Sequence, residues 1–278
     1  MVDEVIGRRF DHLRKLEGFH CDEQWTSWLQ PYKKYTVFHE FIEFIVQGVH
    51  AEQADAVDMD ERKAAMAAYE DIPAAIEDLK PDKLPIELAF DRYDIEHQSF
   101  VEYLSEAGRR FNEADADDVY EFMNETRSSE PYEKLLHQTV IEIFHVLFQN
   151  RGLLLAFNEY VSGILADVDM DKVEDIDQSR LAQNGRLRRV RPPIWARRAV
   201  FFRDRGRCVL CDTDLSSLIN LDNVENYDHI VPISQFGLND VSNLQLLCVA
   251  CNQREKRGGF AVTSSRYQSW YRYDRTRG

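Results

Sequence analysis

The chain has 278 residues, of which 44% are hydrophobic and 12% aromatic, enough for about two packed domains and inconsistent with a disordered polymer. No apolar run is long enough to span a bilayer, and the opening stretch MVDEVIGRRFDHLRKLEG has no apolar signal core, so a cytoplasmic protein with no membrane partner is expected. The net charge of −15 hides a split: residues 1–180 hold 18 basic and 40 acidic side chains, a balance of −22, and residues 181–278 hold 16 and 9, a balance of +7. Such a distribution steers a polyanion toward the basic end.

The first part reads as helix. In residues 33–50, Val37, Phe38, Phe41, Ile42, Ile45, Val46 and Val49 recur at three- and four-residue intervals and line one buried stripe. Residues 60–70 are strong helix formers. Residues 85–112 predict another helix opening at Pro85. Residues 131–166 are the most apolar stretch, with Gly152 placed to break it into two helices, and EADADD at 113–118 is a short acidic loop. The Glu142-x-x-His145 pair, with Glu40 and Glu43, has the form a di-iron bundle uses, but that site needs a second copy, and amphipathicity accounts for these residues. Residues 167–180 are acidic and poor in apolar anchors, and the charge reverses just after them. The expected organisation is an acidic all-helical domain over 1–175, a linker over 176–190 and a basic domain over 191–278.

Five cysteines are present. Cys21 stands alone and reads as a small half-buried residue. Cys208-x-x-Cys211 and Cys248-x-x-Cys251 are two knuckles separated by 36 residues. A two-residue gap lets both thiolates of a pair reach one ion, and two pairs complete the closed tetrahedral site typical of structural Zn²⁺. A redox pair would want a thioredoxin-like βαβ context, which is absent.

Between the knuckles lies a strand-like run, Tyr227-Asp228-His229-Ile230-Val231-Pro232. Gly237 and Asn239-Asp240 mark a turn, and Asn243-Leu244-Gln245-Leu246-Leu247 leads into the second knuckle, followed by a helix beginning near Asn252. Cys-x-x-Cys, Asp-His-Ile-x-Pro, Gly, Asn-Leu and Cys-x-x-Cys-Asn, in that order, resemble the zinc-stapled, four-cysteine branch of the HNH (His-Me finger, ββα-metal) endonuclease family over residues 192–260. The resemblance does not extend to residues 1–180. It implies a mainly α chain in which a helical domain precedes a small α+β, zinc-stapled ββα-metal nuclease domain.

The resemblance matches His229 to the first His of the motif, Asn243 to the middle Asn and Asn252 to the last position. This makes the motif H-N-N rather than H-N-H, and Asn is a weaker metal ligand than imidazole. Phosphodiester hydrolysis needs a nucleophilic water, charge neutralisation and help for the leaving oxygen. His229 suits the general base. Asp228 and the Asn252 carbonyl suit a catalytic Mg²⁺ or Mn²⁺. Asn243 suits a hydrogen bond to the loop that holds His229. Adjacent strand residues point to opposite faces, so Asp228 and His229 need a bend to share a site. Lys256, Arg254, Arg257, Arg205 and Arg207 are candidate nucleic-acid contacts within an Arg-rich segment, with Tyr267, Trp270, Tyr271 and Tyr273 interleaved in the tail. The expected function is metal-dependent cleavage of nucleic acid, DNA foremost, in restriction or anti-phage defence. The helical domain would regulate, target or bring together a homodimer or a partner subunit. The alternatives are a non-catalytic zinc module that binds nucleic acid and a partner-gated nuclease subunit.

Overall fold

The computed structural model describes residues 13–69, 83–168, 177–182, 185–216, 226–255 and 259–266. The side chain of Cys21, together with Lys256, Arg257 and the aromatic tail, lies outside the described residues. The chain is mainly helical, with one small sheet near the C-terminus. It divides into two compact units, one made of residues 42–143 and the other of residues 1–41 with 144–278. Among the described residues, no single helix is long and apolar enough to cross a membrane.

In order, the helices are α1 (Leu13–His20), α2 (Val37–Asp55), α3 (Met59–Tyr69), α4 (Pro85–Arg92), α5 (Phe100–Glu106), α6 (Ala116–Arg127), α7 (Glu130–Leu147), α8 (Arg151–Asp167), α9 (Ile194–Arg203) and α10 (Val249–Glu255). β1 (Tyr227–His229) and β2 (Leu244–Leu246) form the sheet. Phe90, Phe100, Leu104 and Phe122 are fully buried in the 42–143 unit. There the helix expected over 85–112 is broken into α4 and α5. Asp94 takes a left-handed backbone (φ 52°), and Ser99 then caps α5 by accepting from Glu102 N. Glu87, buried in α4, holds the two pieces together by accepting from Phe100 N at 3.0 Å and Leu84 N at 2.6 Å. The acidic stretch at 113–118 is only half loop, because the Asp115 side chain accepts from Asp117 N and Asp118 N and starts α6.

In the other unit, Phe38, Phe41 and Phe157 pack with ring centroids 4.8 and 5.2 Å apart. The long apolar stretch is interrupted at 148–150 rather than at Gly152. The Asn150 side chain accepts from Leu153 N at 3.1 Å and caps α8, while Gly152 sits in its first turn. α10 starts three residues before Asn252, so Cys251 lies inside it.

The grouping also differs from a boundary near 175–190, because residues 13–41 and 144–168 pack with the basic segment. Long-range polar contacts fix them there. Tyr32 N donates to Asn239 O (2.8 Å), and Val37 N, at the start of α2, donates to Asp240 Oδ2 (3.3 Å). Arg151 of α8 reaches Asp204 (3.4 Å) and the carbonyl of Ser264 (2.8 Å). Hydrogen bonds between segments so far apart in the chain leave no local periodic pattern.

Candidate functional site

β1 and β2 are antiparallel, with Asp228 opposite Gln245 and His229 opposite Leu244. All six strand residues are buried. The chain bends at Ile230 and Val231, just after His229. One side chain pins this bend. Asn243, fully buried, accepts from Val231 N (2.8 Å) and donates to Val231 O (3.0 Å) and Leu238 O (3.0 Å). Its own carbonyl accepts from Ile230 N at 2.7 Å. Gly237 closes the loop where no larger residue fits, since a Cβ there would lie 2.0 Å from Val231 O. Asn243 thus has its amide engaged by the loop.

Adjacent strand residues leave on opposite faces. His229 is 2% exposed. The Asp228 carboxylate, 12% exposed, lies 3.7 Å from Arg189 Nη2. Arg189 also donates to Tyr227 O at 3.4 Å. Arg189, Arg191, Val249, Asn252 and Gln253 line an open cavity of about 600 Å³. One guanidinium therefore links Asp228 to the hollow that Asn252 borders. Val190 and Pro192 also line it, so among the described residues its wall joins two guanidiniums and two amides, suited to a phosphate backbone, to three apolar side chains.

The four cysteines converge. The Sγ atoms of Cys208, Cys211, Cys248 and Cys251 all lie within 4.8 Å of one another, and Cys211 and Cys248 are 3.6 Å apart. That is far from a disulfide bond length and near the ~3.8 Å edge of a tetrahedron with ~2.3 Å metal–sulfur bonds. The knuckles are preformed by backbone: Cys208 N donates to Thr213 O (2.9 Å), and Cys251 N points at Cys248 Sγ (3.4 Å). Val209 N donates to Leu246 O at 3.0 Å, tying the first knuckle to β2. Burial pushes the Cys208 and Cys251 thiols up, so four thiolates there call for a cation. Burial works the same way on Cys211, yet the Thr213 hydroxyl and backbone and the neighbouring thiols outweigh it and hold it at about 6. The donor set fits a structural metal such as Zn²⁺ and leaves no open position.

The arginines part company. Arg203, within the Arg-rich segment, is buried: it donates from Nε to Asp204 Oδ1 (2.8 Å) and from Nη2 to Leu244 O (2.5 Å). Arg207 binds Asp212 O (2.8 Å) and its carboxylate (3.1 Å), bracing the first knuckle. Arg254 is exposed, with Nη2 3.9 Å from Cys251 Sγ. Arg205, in a left-handed conformation (φ 53°), lines a second cavity away from Asn252. Asp240 and Gln245 escaped sequence reasoning. Gln245 is fully buried and donates to Val262 O at 2.7 Å. Asp240 accepts from Ser242 N at 2.8 Å as well as from Val37 N. The Asn-Asp pair read as a turn signal was the only trace of Asp240. Glu142, half of the Glu-x-x-His pair, accepts from the Tyr93 hydroxyl at 2.9 Å.

No curated protein and no solved structure matches the chain. The family model for HNH endonuclease matches residues 217–258, which take in both strands, the pinned loop and the second knuckle. The chain therefore carries an HNH endonuclease domain at its basic end, with a cysteine cluster consistent with the zinc-stapled branch of that family.

Proposed function

We propose that the chain is a divalent-metal-dependent endonuclease that hydrolyses phosphodiester bonds of DNA, with His229 as general base. The carrying observation is the join between Asp228 and the Asn252 cavity through Arg189, at the bend that Asn243 fixes. Asp228 and Asn252 offer a carboxylate and an amide oxygen, a hard donor pair that fits Mg²⁺ or Mn²⁺ keeping several of its waters. Bound there, the ion supplies neutralisation of phosphoryl charge and of the leaving oxygen. The neutral imidazole of His229 takes the proton from the attacking water. Arg189 and Arg191 orient the backbone phosphates, and Arg254, Arg257, Lys256, Arg205 and Arg207 are further candidate contacts. The acidic helical part regulates or targets the nuclease or joins two chains, since one site per chain cuts one strand at a time. The role in restriction or anti-phage defence rests on analogy with HNH domains joined to other modules.

Plasmid cleavage by wild type and His229→Ala, each with Mg²⁺, Mn²⁺ or no added ion, tests this. Nicking or linearisation that needs the ion and falls by about 100-fold or more in the variant is expected. Equal cleavage by both proteins would remove His229 from the reaction. No cleavage of plasmid, single-stranded DNA or RNA by metal-loaded protein would favour a binding module.

A further inference from the structure

A second cavity, of about 280 Å³, opens between the α7–α8 turn, the end of α9 and residues 265–266. Among the described residues, Arg151, Arg203, Arg205 and Arg266 line it with Asn150 and Ser265, and none of the described lining residues is a carboxylate. None of these residues lines the Asn252 cavity.

Two of the guanidiniums are buried, Arg151 at 6% and Arg203 at 3% exposure. Asp204, fully buried beside them, pairs with both, at 2.8 Å from Arg203 Nε and 3.4 Å from Arg151 Nη1. The same carboxylate also accepts from Leu246 N at 2.9 Å. Two buried cations thus share one anion, and Arg205 and Arg266 add positive charge to the wall. Burial holds the Arg151 guanidinium below its ordinary range; Asp204 opposes this, and repulsion from Arg203 and Arg205 adds to it. Arg203 Nη1 is buried with no hydrogen-bond acceptor among the described residues. The Phe148 ring, 4.8 Å from the guanidinium carbon, offers a π face but no lone pair.

A buried donor left in excess positive charge is costly unless an anion meets it. A wall of guanidiniums disfavours metal cations, and among the described lining residues Val146 is the one apolar side chain. Arg151 already donates to Ser264 O, Asp204 and Arg266 O, so a ligand with several acceptor oxygens and two negative charges would be met by Arg203, Arg205 and Arg266, whose planar forks suit it better than they suit a carboxylate. We propose that this cavity binds a phosphate group, separately from the site around Asp228 and Asn252. The group is either the terminal phosphate of a nucleic acid or a free phosphate or nucleotide. The proposal stands whether or not the chain cleaves DNA.

Titration calorimetry on the full chain tests it, without added Mg²⁺ or Mn²⁺ and at constant ionic strength. The probes are inorganic phosphate, a short 5′-phosphorylated oligodeoxynucleotide and the same oligonucleotide with a 5′-hydroxyl. Arg266→Gln and Arg205→Gln leave the buried Arg151–Asp204–Arg203 network in place. Wild type is expected to bind phosphate saturably at one site, about tenfold more weakly in each variant. A 5′-phosphate preference lost in the variants would identify a nucleic-acid end. Equal affinity for the two oligonucleotides, with phosphate still bound, would identify the free anion. No saturable binding of phosphate, or binding unchanged in both variants, would overturn the proposal.

Discussion

Asn243 shows how much of the site hangs on one amide. Its three side-chain hydrogen bonds go to Val231 N, Val231 O and Leu238 O, all within the loop that leaves β1. Asn243→Ala would strand those three backbone groups. At about 1–3 kcal/mol for each buried group left unsatisfied, a loss of roughly 3 kcal/mol or more is expected in denaturant unfolding. Cleavage should fall further than stability, because the released loop begins next to His229. Bound zinc should stay at one per chain, because the knuckles are held by other backbone bonds. Wild-type unfolding in the variant would show that the loop is held elsewhere. At this scale the sequence is informative where chemistry demands a spacing: the two Cys-x-x-Cys pairs and the Asp-His before Asn243 are readable in one dimension. It is misleading for Arg203. An arginine in a basic run looks like surface, and only the buried partner Asp204, next in the chain but aimed at β2, makes it part of the core.

At the scale of elements, helix existence follows from apolar periodicity, while helix ends follow from single capping side chains. That is why one helix over 85–112 becomes two at Asp94 and Ser99, and why the break after α7 belongs to Asn150. Asp240 is the furthest-reaching cap, because it serves the 241–243 turn through Ser242 N and the start of α2 through Val37 N. Burial raises its carboxyl above the usual 3.8, against the hydrogen bonds from Ser242 and Val37 that pull it down. Folded protein therefore keeps this proton to higher pH than unfolded chain does. The carboxyl's contribution is full below the unfolded value and declines as pH rises through the folded one. Asp240→Asn replaces one acceptor with a donor facing a backbone N–H and should cost about 1–3 kcal/mol. Because the asparagine does not titrate, the stability gap between the two proteins should narrow as pH rises above the ordinary carboxyl value of 3.8. A gap that widens over that range would mean that the carboxylate, not the acid, is the form the fold prefers.

Over the whole molecule, charge separates less sharply between the compact units than between residues 1–180 and 181–278. Residues 42–143 hold 9 basic and 26 acidic side chains, a balance of −17, and the rest of the chain holds 25 and 23, a balance of +2. A change in composition near residues 175–190 was visible in the sequence. The return of residues 13–41 and 144–168 to the basic unit was not, because it depends on pairs such as Tyr32 with Asn239 and Arg151 with Asp204. This changes how a regulatory role for the acidic part should be tested. A fragment of residues 185–278 would expose Asp204 without Arg151 and Asp240 without Val37, and is expected to unfold or aggregate. An internal excision is the better cut, since the His39 and Phe144 rings stack with centroids 3.7 Å apart inside the basic unit. Replacing residues 46–140 with a short Gly-Ser linker should give a soluble protein that still holds one zinc per chain and melts in a single transition. If the acidic unit restrains the nuclease by repelling polyanions, the excised protein should bind and cut DNA more strongly than the full chain, with the gap closing as salt rises. Weaker cleavage by an excised protein that is folded and zinc-loaded would assign residues 42–143 to targeting or self-association instead. Sedimentation of the two proteins would then tell those apart, since only self-association lowers the oligomeric state on excision.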